Sequence, residues 1–404
     1  MNWLKRGSAW IRSGFLAVGL WLLLGFPSSA QREEERLVLA FYYAWYDQNT
    51  WKSGQVPDLP LSPYVSAHRE TMARHIGQAK QAGIDAFVLN WWGKNNPTDK
   101  NLATLLDIAA EQGFHVAVDF DLNSPFMSGA ETYADHLRYL HTVHAAHPAY
   151  LRVQNRPVVF FYNVSRSSVS AWQKLREEVD PQHHAWWIAE GTDLKYLSVF
   201  DGHHLYSIIW PNGMAPANIL PSWGKRVYTY NQQHGTTKLW IATVMPGYDD
   251  RKARPTHGFV RPRQDGEFYR RCWQAAIASR PHWVVINSFN EWLEGSYIEP
   301  SQAYGTLYLE LTREWTAQFK KASSPPPVLS SRSSRPLRPS PTPTPSPTPD
   351  LPDQLCLWPE IRSFPGLLPG ERRCGCFENP SDARAWLTCR FLDFQSWLSV
   401  PIAY

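Results

Sequence analysis

The chain has 404 residues, enough for one large domain and a small one, and 14% of them are aromatic, including 20 Trp. Its formal net charge is +4, but Lys5, Arg6 and Arg12 carry three of those charges. The remainder is close to neutral and has no basic stripe of the kind that holds nucleic acid. There is no GxGxxG run and no phosphate loop, so the sequence asks for no nucleotide cofactor, and nothing in it requires a metal.

Residues 1–30 read as a signal peptide: a basic start, an apolar stretch at 15–26, then Pro27-Ser28-Ser29-Ala30 with small residues suited to a cut after Ala30. The apolar stretch is shorter than the roughly 20 residues a bilayer span takes. A secreted or extracytoplasmic protein is therefore expected, a retained anchor being the alternative. From residue 37, strand-like and helix-like segments alternate. Strands are expected at 37–43, 86–91, 115–120, 158–162, 185–189, 202–207, 239–245 and 283–288. Helices are expected at 68–82, 102–112, 133–147, 169–179, 194–199, 223–233, 266–279 and 304–321. Eight of each over this length predict an α/β fold, a (β/α)8 TIM barrel spanning residues 31–324. A doubly wound open sheet is the competing architecture, but it would have fewer strands and a Gly-rich first turn.

Composition changes after the last helix. Residues 325–350 are rich in Pro, Ser and Thr and read as an extended linker. Residues 351–404 form a small segment with Cys356, Cys374, Cys376 and Cys389, enough for two disulfides in an exported module. That segment reads either as a module touching polysaccharide or the cell wall, or as a poorly ordered tail. Cys374-Gly375-Cys376 lacks the usual zinc spacing. Cys272, alone in an expected helix, reads as a buried thiol.

In a barrel of this kind, residues just past the strand ends meet at one face. The first strand brings Tyr43, Trp45 and Tyr46, the second Trp91 and Trp92, the third Asp119 and Asp121. The fourth adds Tyr162 and Asn163, the fifth Glu190, the sixth Tyr206 and Trp210, and the seventh Tyr248 and Asp249. After the eighth comes Asn290-Glu291-Trp292-Leu293-Glu294-Gly295. Two carboxylates three positions apart, ringed by aromatics, suit hydrolysis of a glycosidic bond beside flat surfaces on which sugars lie. Glu291 and Glu294 are the expected catalytic pair. Tyr43, Trp45, Tyr46, Trp91, Trp92, Asp119, Asp121, Tyr206, Tyr248, Asp249, Asn290 and Trp292 are the expected substrate contacts, with a polysaccharide or glycan as partner. The pairs His183-His184 and His203-His204 can each offer only one side chain to a given face, which disfavours a metal cluster.

The stretch from Ser288 to Pro300, with 41–46 (Phe-Tyr-Tyr-Ala-Trp-Tyr) and 246–249 (Pro-Gly-Tyr-Asp), resembles the signatures of glycoside hydrolase family 99, the endo-α-mannosidases and endo-α-mannanases. The resemblance runs in order over residues 37–320. It implies a retaining hydrolase in which Glu291 deprotonates the sugar 2-hydroxyl to form a 1,2-anhydro sugar. Glu294 then serves as acid on the leaving oxygen and as base on water, with Trp292 as an apolar wall keeping it protonated. Three positions depart from the family pattern: Leu293 for histidine, Asp121 for glutamate, and Asp47-Gln48 for glycine. These are expected to line the pocket and to bear on the substrate, so another α-linked wall polysaccharide such as α-1,3-glucan stays open. A non-catalytic carbohydrate-binding barrel is the reading from a different class. An esterase is disfavoured by the lack of a GxSxG elbow.

Overall fold

The structure is a computed structural model that describes residues 36–127, 132–209 and 215–322. The leader 1–30, the linker 325–350, the cysteine-bearing segment 351–404 and Trp210 lie outside the described residues.

Eight parallel strands close into a barrel: β1 (Val38–Tyr42), β2 (Ala86–Trp91), β3 (His115–Asp121), β4 (Arg156–Tyr162), β5 (Trp186–Glu190), β6 (Gly202–His204), β7 (Leu239–Val244) and β8 (Trp283–Ile286). Each pairs with the next in chain order, and β8 pairs with β1 through Val38 opposite Val284, so no strand edge is left open. The strands are apolar and rich in Val, Ile and Phe because both faces are covered. Leu39, Phe41, Val88, Phe160, Ile188, Ile241 and Val285 share the cluster that fills the lumen. Their neighbours Ala40, Tyr42, Phe87, Phe161, Trp187 and Val284 pack outward under the helices. This period of two decides which strand-end side chains reach the mouth of the barrel.

Helices Arg69–Gln81, Pro97–Gln112, Tyr133–Tyr139, Val169–Val179, Pro216–His234, Glu267–Ala278 and Leu307–Lys321 follow β1 to β4 and β6 to β8. Between β5 and β6 the chain makes only the short 3-10 turn Leu194–Ser198. Several boundaries differ from the sequence pattern. The second helix begins at Pro97 because Asn96 caps it, accepting from Thr98 N at 2.9 Å, and Gly113 ends it in the left-handed region. The helix expected from 223 starts at Pro216, with proline in its first turn. The one expected over 133–147 widens into a π-helical stretch at Leu140–His144. The sixth strand stops at His204 rather than running to 207. A small hairpin lies outside the expected elements: Arg152–Val153 folds back on Arg156–Pro157 through Gln154 and Asn155, both at positive φ.

His203 and His204 point to opposite sides of β6, as adjacent strand residues must. His203 stacks on Trp223 at 5.2 Å outside the barrel, and His204 meets Phe160 at 5.2 Å inside it.

Candidate active site

Beyond β8 the chain folds into a closed turn. Ser288 N donates to Ser296 O at 2.8 Å, Glu299 N donates back to Phe289 O at 2.9 Å, and Ser288 Oγ accepts from Glu291 N at 2.7 Å. Gly295 completes it at φ +58, where a Cβ would lie 2.9 Å from the carbonyl oxygen of Asp249. Any other residue there would push the turn off the neighbouring loop. This turn carries both glutamates.

Their surroundings differ. Glu291 is almost fully buried, and its Oε1 accepts from the Tyr46 hydroxyl at 3.2 Å and Leu293 N at 3.1 Å. Burial, then the nearby Glu294 charge, push its carboxyl well above the usual range. Glu294 is more open and meets a cation: Arg254 Nη2 donates to its Oε1 at 3.1 Å. Burial raises Glu294 too, but Arg254 works against that rise.

The rest of the mouth is polar and aromatic. The Tyr43 and Tyr206 hydroxyls lie 2.7 Å apart, and Tyr162 packs edge-on to Tyr206 at 4.9 Å. Burial and the surrounding carboxylates, Glu294 among them, keep all three phenols protonated. On the same rim the Asn90 amide donates to Asp119 and Asp121, each at 3.3 Å, and Asn123 N donates to Asp121 at 2.8 Å. Glu190 accepts from Asn163 N at 3.1 Å. Trp45, Trp92 and Phe126 form a slipped stack, with ring centroids 4.8 and 5.9 Å apart.

A model of glycosyl hydrolase family 99 matches residues 53–321. The chain belongs to glycosyl hydrolase family 99. It is 29% identical over 299 residues to a mouse glycoprotein endo-α-1,2-mannosidase-like protein, covering 65% of this chain and 64% of that one. It is 26% identical to mouse glycoprotein endo-α-1,2-mannosidase over 298 residues, covering 65% and 63%. The chain thus spans somewhat less than two-thirds of the length of these curated relatives. The solved family 99 endo-α-mannosidase of Bacteroides thetaiotaomicron superposes with a TM-score of 0.62 at 24% identity, over 71% of this chain and 98% of that one, a likeness in fold.

Within this family 99 barrel several expected substrate contacts take other places. Trp91 faces outward from β2, fully buried, its indole N–H on Asp99 at 3.0 Å. Trp292 is fully buried beneath the turn, stacked on Tyr297 at 3.9 Å and donating to Glu299 at 3.0 Å. Asn290 is a clamp: its amide bonds both the N–H and the C=O of Tyr43, each at 2.8 Å. Asp119 lies wholly buried below Asp121. Asp249 holds Arg251 through two bonds of 2.8 and 2.7 Å, while its N–H donates to Glu294 O at 2.9 Å. Tyr248 stacks on Phe259 at 4.7 Å, with its hydroxyl on Asp250. Trp45, Trp92, Asp121 and Tyr206 reach the mouth partly exposed, with Tyr43 and Tyr46 closing it from below. Of the family departures, Leu293 and Asp121 are on the rim, but Asp47 is exposed and caps the short helix Gln48–Lys52.

Arg254, which pairs with Glu294, is a side chain of this candidate site that the sequence pattern does not single out. The signal was faint: Asp250 and Arg254 stand four apart in a loop, and they pair at 2.8 Å.

Burial holds the Glu190 carboxyl up at about 7, against an ordinary 4.5. Between those values the folded chain binds more protons than the unfolded one. The stability tied to this group is therefore full below the ordinary value and is lost as pH rises through the folded one. Glu190→Gln, which is neutral throughout, is expected to gain melting temperature relative to the parent between about pH 5 and about pH 8. Melting curves across that range check this, and a difference that stays constant with pH refutes it.

Proposed function

We propose that this protein is a retaining glycoside hydrolase that cleaves within an α-mannoside glycan, through a 1,2-anhydro sugar. One observation carries the reading: a single closed turn brings Glu291 and Glu294 to the same end of the barrel, with different partners and with the Glu294 charge acting on Glu291. Glycosidic cleavage needs two carboxyl groups in different protonation states. The choice of mannose and of internal cleavage comes from the relatives, one named an endo-α-1,2-mannosidase and the other an endo-α-1,2-mannosidase-like protein. In this reading Glu291 takes the proton of the sugar 2-hydroxyl, and that oxygen closes on the anomeric carbon as the leaving oxygen takes the Glu294 proton. Water then attacks the anomeric carbon and breaks its bond to the 2-oxygen, Glu294 taking the water proton while Glu291 returns its proton to the 2-oxygen. The internal nucleophile is already in place, so little orientational freedom is lost. The protonated phenols of Tyr162 and Tyr206, on the partly exposed side of the mouth, supply donors for sugar oxygens.

The test is an assay of the full chain on α-mannans, α-1,3-glucan and other α-linked wall polysaccharides, following new reducing ends. Release from α-mannan by the parent, and none by Glu294→Gln, is the expected result. Release only from α-glucan would move the substrate. Tight binding with no release from any polymer would make this a binding protein.

Export belongs to the same proposal and rests on the pattern of residues 1–30. Protein recovered outside the cytoplasm should begin at Gln31, and a chain still starting at Met1 would contradict it.

A further inference from the structure

The loop after β7 is built around one arginine. Tyr248–Asp249 pairs antiparallel with Val260–Arg261, and the intervening segment is pinned by Arg254 N on Asp250 O and Gly258 N on Arg254 O, both at 2.7 Å. Asp250, almost fully buried, spends both carboxylate oxygens on this loop. Oδ1 accepts from Phe259 N at 2.7 Å, and Oδ2 accepts from Arg254 at 2.8 Å and the Tyr248 hydroxyl at 3.0 Å. The guanidinium is thus held from behind, and its Nη2 is aimed across at Glu294. The loop also holds the turn of Glu294 itself, through Asp249 N on Glu294 O. Glu291 is served differently: its carboxylate partners are a phenol and a backbone N–H, and Arg254 bears on it only through space.

We infer that Arg254 is a positioning residue that decides which of the two glutamates carries the proton, holding Glu294 ionised between turnovers and Glu291 protonated. This deepens the hydrolase reading and rests on it. Under that reading the first step needs the opposite distribution, with Glu291 ionised toward the 2-hydroxyl and Glu294 protonated toward the leaving oxygen. The proton must therefore change place when substrate arrives. Arg254 makes Glu294 the stronger acid for breaking the C1–O bond and the weaker base for the water that follows. The other groups facing Glu294 are Glu291 on its own turn, Asp250 and Tyr248 on the loop, and the phenols of Tyr43, Tyr162 and Tyr206. The phenols stay protonated and Asp250 is already bound to Arg254, so the guanidinium is the group whose removal changes the balance.

The experiment compares the pH profile of kcat/KM for the full chain with those of Arg254→Met and Arg254→Lys. With Glu294 the lower and Glu291 the higher of the two titrations, the acid limb follows Glu294, and loss of the cation should move that limb upward by about one pH unit. Arg254→Lys should keep the limb near its original position. Profiles that keep both limbs and only scale down would make Arg254 a structural residue and overturn the inference. A readout without turnover separates this from failure of the hydrolase reading: melting temperatures at pH 7 of the parent, Arg254→Met, Glu294→Ala and the double variant. Non-additive shifts support the tether even in a protein inactive on every polymer, and additive shifts overturn it.

Discussion

Glu291→Gln is expected to lower kcat/KM by about 10²- to 10⁴-fold on every substrate, whatever the leaving group, with melting temperature little changed. The amide keeps the shape that accepts from Tyr46 and Leu293 N but cannot take a proton from the 2-hydroxyl. Glu294→Gln should behave differently. An activated aryl leaving group departs without a proton, so the loss on such a glycoside should be much smaller than on a natural glycan, where it should again approach about 10²- to 10⁴-fold. Steady-state kinetics on matched substrates separate the two. If both variants lose equally on good and poor leaving groups, the division of labour proposed for the pair is wrong. If a 2-deoxy substrate reacts as fast as its parent, the anhydro step is wrong while the hydrolase survives.

Trp292→Ala is expected to cost about 3–5 kcal/mol of folding stability, the range for emptying a buried aromatic site. On a domain of this size that lowers the melting temperature by on the order of 10 °C. The indole lies between Tyr297, on which it stacks at 3.9 Å, and Trp51, which meets it edge-on at 5.9 Å. Its N–H is one of several donors on buried Glu299, beside the Tyr64 hydroxyl at 2.9 Å and His75 at 2.9 Å. Losing it opens a void and removes a donor from a buried carboxylate, which adds to the cost. A sugar platform would behave in the opposite way, with KM raised and melting unchanged. Calorimetry beside kinetics distinguishes the two.

The barrel was legible because strands covered on both faces leave nearly continuous apolar runs, and helices leave glycine at their ends, as at Gly113. The glutamate turn was legible from its position after such a run. The alternation of strand side chains that separates His203 from His204 also separates Asn90 from Trp91. Asn90 faces inward, bonded to Asp119 and Asp121, so its neighbour Trp91 had to face the helices. Inside the turn no period applies, and Trp292 could be placed only by its contacts. Arg254 was harder still. It sits in a loop, and its partner Glu294 is 40 residues further along the chain.

The turn from Ser288 to Glu299 is fastened to itself by its own backbone, as well as to its neighbours. The distance between the two carboxyl groups is therefore set within about a dozen consecutive residues rather than by the agreement of eight strands. The fold separates what must be kept from what is free to vary. A change at a strand end such as those carrying Asp121, Trp92 or Glu190 can therefore alter the mouth of the barrel without moving the two carboxyl groups relative to each other.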